Sequence, residues 1–288
     1  MIGPGPVARL VQAILFALEA VKATQNIRIK TLEKEAKKGF TRFLQIDTVA
    51  AVLTWCIIMQ SKQQSFPSLD FEKEVERAKW FKTDLEKGGW NQRYKVPGEF
   101  DSWSNTFPQE EVPIKTLFMF EALPLTAEKF AEMVHPSNMD IRIKWDDAFQ
   151  DLETLEVAPD KGRIVYTRAA LSCPLTDRTL VLYVSPPKEV DWFGKKAFAM
   201  FVKNAIHPSK PKGQGGLIRA TNGGNFYIAV PDENEPDSKC NVFGLTNNNC
   251  NGWLPNSGIE WLVARDASKV FYKLRQNTVK GYDKYFKK

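Results

Sequence analysis

The chain has 288 residues, 43% of them apolar and 26% charged, with a net charge of +6. This balance suits one or two globular domains and excludes both a disordered chain and a bundle of membrane-spanning helices. Four cysteines without a CxxC pair, and two histidines, make no zinc-ligand set; a chain this long needs no disulfides, so reduced thiols and a cytoplasmic setting are expected, with Cys240–Cys250 the one bridge left open.

Residues 7–23 are helix-like and apolar on most faces, a charge-rich helical stretch runs from Ile27 to Phe43, and Thr48–Met59 is a continuous apolar run. Neither apolar segment is long enough to span a bilayer. Arg9 ahead of the first one partly resembles a secretory signal, but Glu19 interrupts it. Helices packed on the main domain or lying on a membrane surface are the expectation, with a role in targeting left open. A polar, proline-containing linker, Gln63–Asp70, closes this helical extension of residues 1–66.

Phe71–Lys87 reads as an amphipathic helix ended by Gly88-Gly89. Strand-like runs follow at Trp90–Val96, Ile114–Leu123, Phe149–Val157, Arg163–Leu171, Thr179–Ser185, Ala197–Ile206, Leu217–Val230 and Lys239–Thr246. One helix, Thr126–Val134, interrupts them, and Pro255–Lys284 forms a long terminal helix. The order predicts an α+β fold in which a strongly curved antiparallel sheet is closed over by the terminal helix. That helix carries Leu262, Phe271 and other apolar residues on one face and a basic stripe including Lys269 and Lys273 on another. Residues 1–65 and 257–288 each carry a surplus of five positive charges, so the excess sits at the ends. This suits transient contact with an anionic membrane and gives no nucleic-acid groove.

The most informative residues are Arg142-Ile-Lys-Trp145-Asp146. If they are helical, Arg142 and Asp146 share a face and can pair. On the surface such a pair contributes little. Turned inward it would form a zwitterionic site, where a phosphate meets the guanidinium and a cationic headgroup sits near the carboxylate.

Further motifs follow in order: Ile164-Val-Tyr166, Cys173-Pro-Leu-Thr-Asp177-Arg178, Gly216-Leu-Ile-Arg219-Ala, and Gly252-Trp253-Leu-Pro255. Together they resemble the START domain family, the steroidogenic acute regulatory protein-related lipid transfer domains, over residues 67–288. The resemblance implies a helix-grip fold enclosing one lipid, no cofactor and no catalysis. The Arg-x-x-Trp-Asp pattern is similar to the phosphatidylcholine-transfer branch, which implies Arg142 and Asp146 at a headgroup. Lipid contacts are then expected from Arg142, Trp145, Asp146, Tyr166, Thr167, Leu180, Leu262 and Phe271, with Trp145 also packing its helix against the sheet. Arg178, in an ion pair with a buried acid, and Trp253 take structural roles. Lys210, Lys212, Lys269 and Lys273 are expected at the membrane, with the Ser172–Asp177 and Pro208–Gly216 loops moving there. Where the branch surrounds choline with aromatic faces, this chain has Thr167 and Leu180, which offer none. Binding and transfer of a phospholipid is the first expectation, and a sterol- or carotenoid-binding protein of the same fold, or a lipid sensor without transfer activity, the alternative.

Other chemistry is weaker. The acids Asp146, Asp147, Asp151, Glu153 and Glu156 suit an exposed edge better than an acid/base pair. Cys173 lacks a nucleophile elbow, and Gly213-Gln-Gly-Gly216 lacks the phosphate-loop form.

Overall fold

The computed structural model describes residues 66–169, 176–252, 258 and 268–287, all within the unit Ser65–Lys288. The three expected N-terminal segments, Cys173, Trp253, Leu262 and the first part of the terminal helix lie outside the described residues.

Helix α1 (Phe71–Glu86) begins where Asp70 accepts a hydrogen bond from the Lys73 amide at 3.2 Å, with Glu72 and Glu74 in the first turn. Three strands follow, β1 (Asn91–Val96), β2 (Phe100–Thr106) and β3 (Ile114–Leu123). Then come α2 (Ala127–Val134), a 3-10 turn (Pro136–Asn138) and α3 (Met139–Arg142). The rest of the sheet is β4 (Phe149–Val157), β5 (Arg163–Ala169), β6 (Arg178–Val184), β7 (Lys188–Trp192), β8 (Lys195–Asn204), β9 (Ile218–Arg219), β11 (Asn225–Pro231) and β12 (Cys240–Thr246). The short β10 (Thr221–Asn222) and β13 (Asn248–Asn249) pair separately, and the described chain ends in α4 (Ser268–Tyr285).

The main sheet has eleven strands in the order β1-β2-β3-β12-β11-β8-β6-β5-β4, with β7 paired to β8 and β9 to β6. Every pairing is antiparallel except β6–β9. Both faces are used. One carries Phe118, Phe120, Val165, Val184, Met200, Val202, Ala229 and Val242, packed with α2, Trp145 and Leu274 of α4. The other carries Leu117, Phe201, Phe226, Ile228 and Phe243 under Val75, Ala78 and Phe81 of α1. Successive strand residues point to opposite faces, so each of these strands serves two cores. Burying one such phenylalanine contributes roughly 2–3 kcal/mol. Gly244 decides how closely the α4 side can pack. A Cβ there would lie 2.1 Å from the Phe118 ring, and Phe271 of α4 stacks on that ring at 4.7 Å.

Two strands of the main sheet were not expected. β2 (FDSWSNT) is polar in sequence but buries Asp101, Ser102 and Ser104 between β1 and β3. Asp101 is held by Lys95 and Gln92, both at 2.7 Å. β7 is a short polar partner for the first half of β8. The single strand expected over Leu217–Val230 is instead β9, β10 and β11, separated at Ala220 and at Gly223-Gly224.

Candidate functional site

Thr126 caps α2, accepting from the Lys129 amide at 3.3 Å, and His135-Pro136 ends that helix. The chain turns through α3, and the Asp146 amide donates to the Arg142 carbonyl at 2.9 Å, one helical turn on. Arg142 and Asp146 therefore share a face. Arg142 Nε donates to Asp146 Oδ2 at 3.0 Å, and the two side chains are only 7% and 2% exposed. The surface alternative is thereby removed. Asp146 Oδ1 also accepts from the Ala148 amide at 3.2 Å. The guanidinium carbon lies 5.4 Å from the Phe149 ring centre, 5.7 Å from Trp145 and 5.9 Å from Tyr227. Burial works against the charge on Arg142, but Asp146 and Tyr227 outweigh it and hold the pKa above its ordinary value. Burial also raises the Tyr227 phenol, with Arg142 opposing. Asp146 takes Nε and the Tyr227 hydroxyl takes a further hydrogen bond from the guanidinium, so only the remaining N–H groups are left over for another acceptor.

Trp145 packs against α4 rather than the sheet alone. A Cβ on Gly281 would sit 2.7 Å from Trp145 Cγ, so the missing side chain at Gly281 admits the indole. Trp145 Nε1 and Thr167 Oγ1 are both buried without a hydrogen-bond partner. Thr167 pairs with Leu152 of β4 and Leu180 of β6, and Leu152 belongs to the α4-side cluster. Phe271 lies on that side as well, stacked on Phe118.

Tyr166 does not share it. One residue from Thr167 on a strand, it points to the other face, where it joins Ile164, Val181 and Tyr183. Lys210 Nζ lies 4.3 Å from its ring centre. The expectation that Tyr166 and Thr167 contact one ligand together is corrected by this alternation.

The Arg178 guanidinium meets backbone carbonyls rather than the buried acid expected. Its Nε donates to the Cys250 carbonyl at 2.6 Å and Nη2 to the Asn251 carbonyl at 3.4 Å, while Nη1 donates to the Thr176 carbonyl. Asp177 pairs with Arg168 instead, at 2.6 Å. Of the four lysines expected at a membrane, Lys212, Lys269 and Lys273 are exposed. Lys210 is paired with Glu153 at 2.6 Å and Lys273 with Asp147 at 2.8 Å. The acids near β4 mostly serve such pairs, because β4 is the sheet's edge. Cys240 and Cys250 are free thiols. Among the described residues no group of three or more His, Cys, Asp and Glu is arranged to hold a metal, and no helix is long and apolar enough to cross a membrane.

Sequence reasoning did not single out Tyr227 or Phe149. The available signal was the alternation Phe226-Tyr227-Ile228, which puts the tyrosine opposite its apolar neighbours. It does not say which face meets Arg142.

The chain matches the START domain over residues 70–280. No curated protein matches it. Its structure is similar to that of human STARD10, with 18% identity, a TM-score of 0.58, and coverage of 77% of this chain and 83% of that chain. It is also similar to human StAR-related lipid transfer protein 5, with 19% identity, a TM-score of 0.59, and coverage of 74% and 98%. The human StarD13 (DLC2) lipid transfer and protein localization domain follows at 14% identity, a TM-score of 0.50, and coverage of 73% and 98%. At such identities the structures speak for the fold alone, here the helix-grip arrangement of a curved antiparallel sheet with a C-terminal helix. With the family match covering most of its length, the chain belongs to the START domain family.

Proposed function

We propose that residues 67–288 bind one lipid between the sheet and α4, and carry it between membranes without altering it chemically. The observation that carries this is Arg142: a buried guanidinium tied to Asp146 through Nε alone, with its remaining N–H groups able to meet an anionic headgroup. Apolar side chains on the same face, among them Leu152, Leu182 and Phe271, are only partly buried, although they pack with the interior cluster. An acyl chain covering them would gain about 25 cal/mol per Å². Desorption into water is then slow, which is what makes a carrier useful. We assign phospholipid as the first ligand class, as in the lipid-transfer relatives that share the Arg-x-x-Trp-Asp pattern.

A sterol or carotenoid is the second reading, favoured by Thr167 and Leu180 standing where choline-binding relatives place aromatics. Native mass spectrometry of the purified chain separates the two. Phospholipid should co-purify with the wild type and be depleted in the double variant Arg142→Met/Asp146→Leu, which removes both charges together. Equal phospholipid loading in that variant defeats the headgroup assignment. Transfer is read from labelled-lipid exchange between vesicles. Peripheral contact with an anionic membrane in a cytoplasmic setting rests on the charge at the two ends, with Lys212 and Lys269 exposed.

A further inference from the structure

One aromatic ring is held out to solvent in a backbone conformation that disfavours it. β7 and β8 form a hairpin whose register pairs Trp192 with Lys195, so the loop between them is Phe193 and Gly194. Their φ angles are 53° and 81°. Positive φ at both central residues marks a type I′ turn, for which Asn-Gly is the favoured pair. Left-handed backbone crowds a side chain, and a bulky residue there is an outlier. Among the described non-glycine residues with positive φ, Phe193 is the only aromatic one. Its ring is 54% exposed. It stands edge-on to Trp192 at 5.1 Å, and Trp192 is itself buried against Phe243. The ring is therefore a knob on a firm base. A strained position that adds little to the core points to a contact outside the chain.

Beside the knob lies a groove of about 440 Å³, lined by Lys195, Lys196, Pro231, Asp232, Glu233 and Pro236. The charges around it fall into two halves. Lys195 and Lys196 follow the knob on β8 and are exposed. Glu233, Glu235 and Asp237 lie in the turn between β11 and β12 and are exposed as well. Lys195 pairs with Glu233 where the halves meet. An anionic bilayer would be repelled by the acidic half. The exposed Lys212 also lies beyond the far end of β8, about 30 Å along the strand. A patch with a knob, a groove and both signs of charge side by side is complementary to itself under a two-fold rotation. We propose that this face joins two copies of the chain. Phe193 of each copy enters the groove of the other, and the lysines of each meet the acids of the other. The contact is small, so the dimer is weak and reversible. It does not depend on the ligand assigned to the interior.

Sedimentation velocity of the full chain, from about 1 µM to about 1 mM, tests this over the range expected of a small interface. The wild type should show a monomer–dimer equilibrium. Phe193→Asn gives the turn its favoured Asn-Gly pair. At the dilute end, where both proteins are monomers, this variant should melt no lower than the wild type, while its dimer weakens at least about tenfold. The reversals Lys195→Glu/Lys196→Glu and Glu233→Lys/Glu235→Lys each give the patch predominantly one sign, so each variant alone should be monomeric. Mixed in equal amounts, the two should pair with each other. A wild type that stays monomeric throughout, a dimer undiminished in Phe193→Asn, or no pairing on mixing overturns the proposal. So does a Phe193→Asn chain that melts several degrees below the wild type, since the ring then serves the fold.

Discussion

The inward position of the Arg142–Asp146 pair has a measurable consequence for stability. Replacing Asp146 by leucine leaves a guanidinium that is 7% exposed without its counter-charge, and strands the Ala148 amide. Breaking a buried pair from one side typically costs about 3–5 kcal/mol, against about 0–1 kcal/mol for a surface pair. For a domain of this size each kcal/mol lowers the melting temperature by about 2–4 °C, so Asp146→Leu should lose about 6 °C or more. The double variant Arg142→Met/Asp146→Leu removes both charges and keeps an apolar filling of similar bulk. It should recover most of that loss, because desolvating two ions consumes much of what their attraction returns. Urea and thermal melts of the wild type, both single variants and the double variant give the coupling energy directly. A loss below about 1 kcal/mol for Asp146→Leu, or no recovery in the double variant, would refute an interior ion pair.

Other outcomes follow from the same structure. Gly281→Ala should destabilise by about 1–3 kcal/mol in a denaturant melt, although alanine favours helix by about 1 kcal/mol, because the new Cβ meets Trp145 at 2.7 Å. Cys240 is fully buried and its thiol is pushed up to about 12, so alkylation at neutral pH should leave it unmodified in the folded chain and label it only in denaturant. Burial, only partly offset by Glu110, lowers Lys115 below its ordinary 10.5. In the window just below 10.5 the unfolded chain then binds the extra proton, so stability should rise with pH relative to Lys115→Met; equal slopes for the two proteins would rule this out. Arg178→Lys cannot reach the carbonyls of Thr176, Cys250 and Asn251 at once, and should speed amide exchange around residues 249–252 at a cost of about 1–3 kcal/mol.

Most elements were legible in the sequence because their signals are local. α1 has its cap at Asp70 and its stop at Gly88, α2 has its cap at Thr126, and the apolar strands alternate or run continuously. The polar strand β2 was not, since Phe100–Thr106 looks like a loop until β1 and β3 bury its serines and aspartate. The spacing of Arg142 and Asp146 determined that they could pair, because one helical turn brings them to one face. Whether that face turned to water or to the interior depended on which strands lay beneath it, and Phe149 and Tyr227, some 80 residues apart in the chain, supply that environment. The same holds for Tyr166 and Thr167. The pleat alone dictates that neighbours on a strand part company, but only the packing of α1 and α4 on opposite sides decides that Thr167 faces the α4 side and Tyr166 does not.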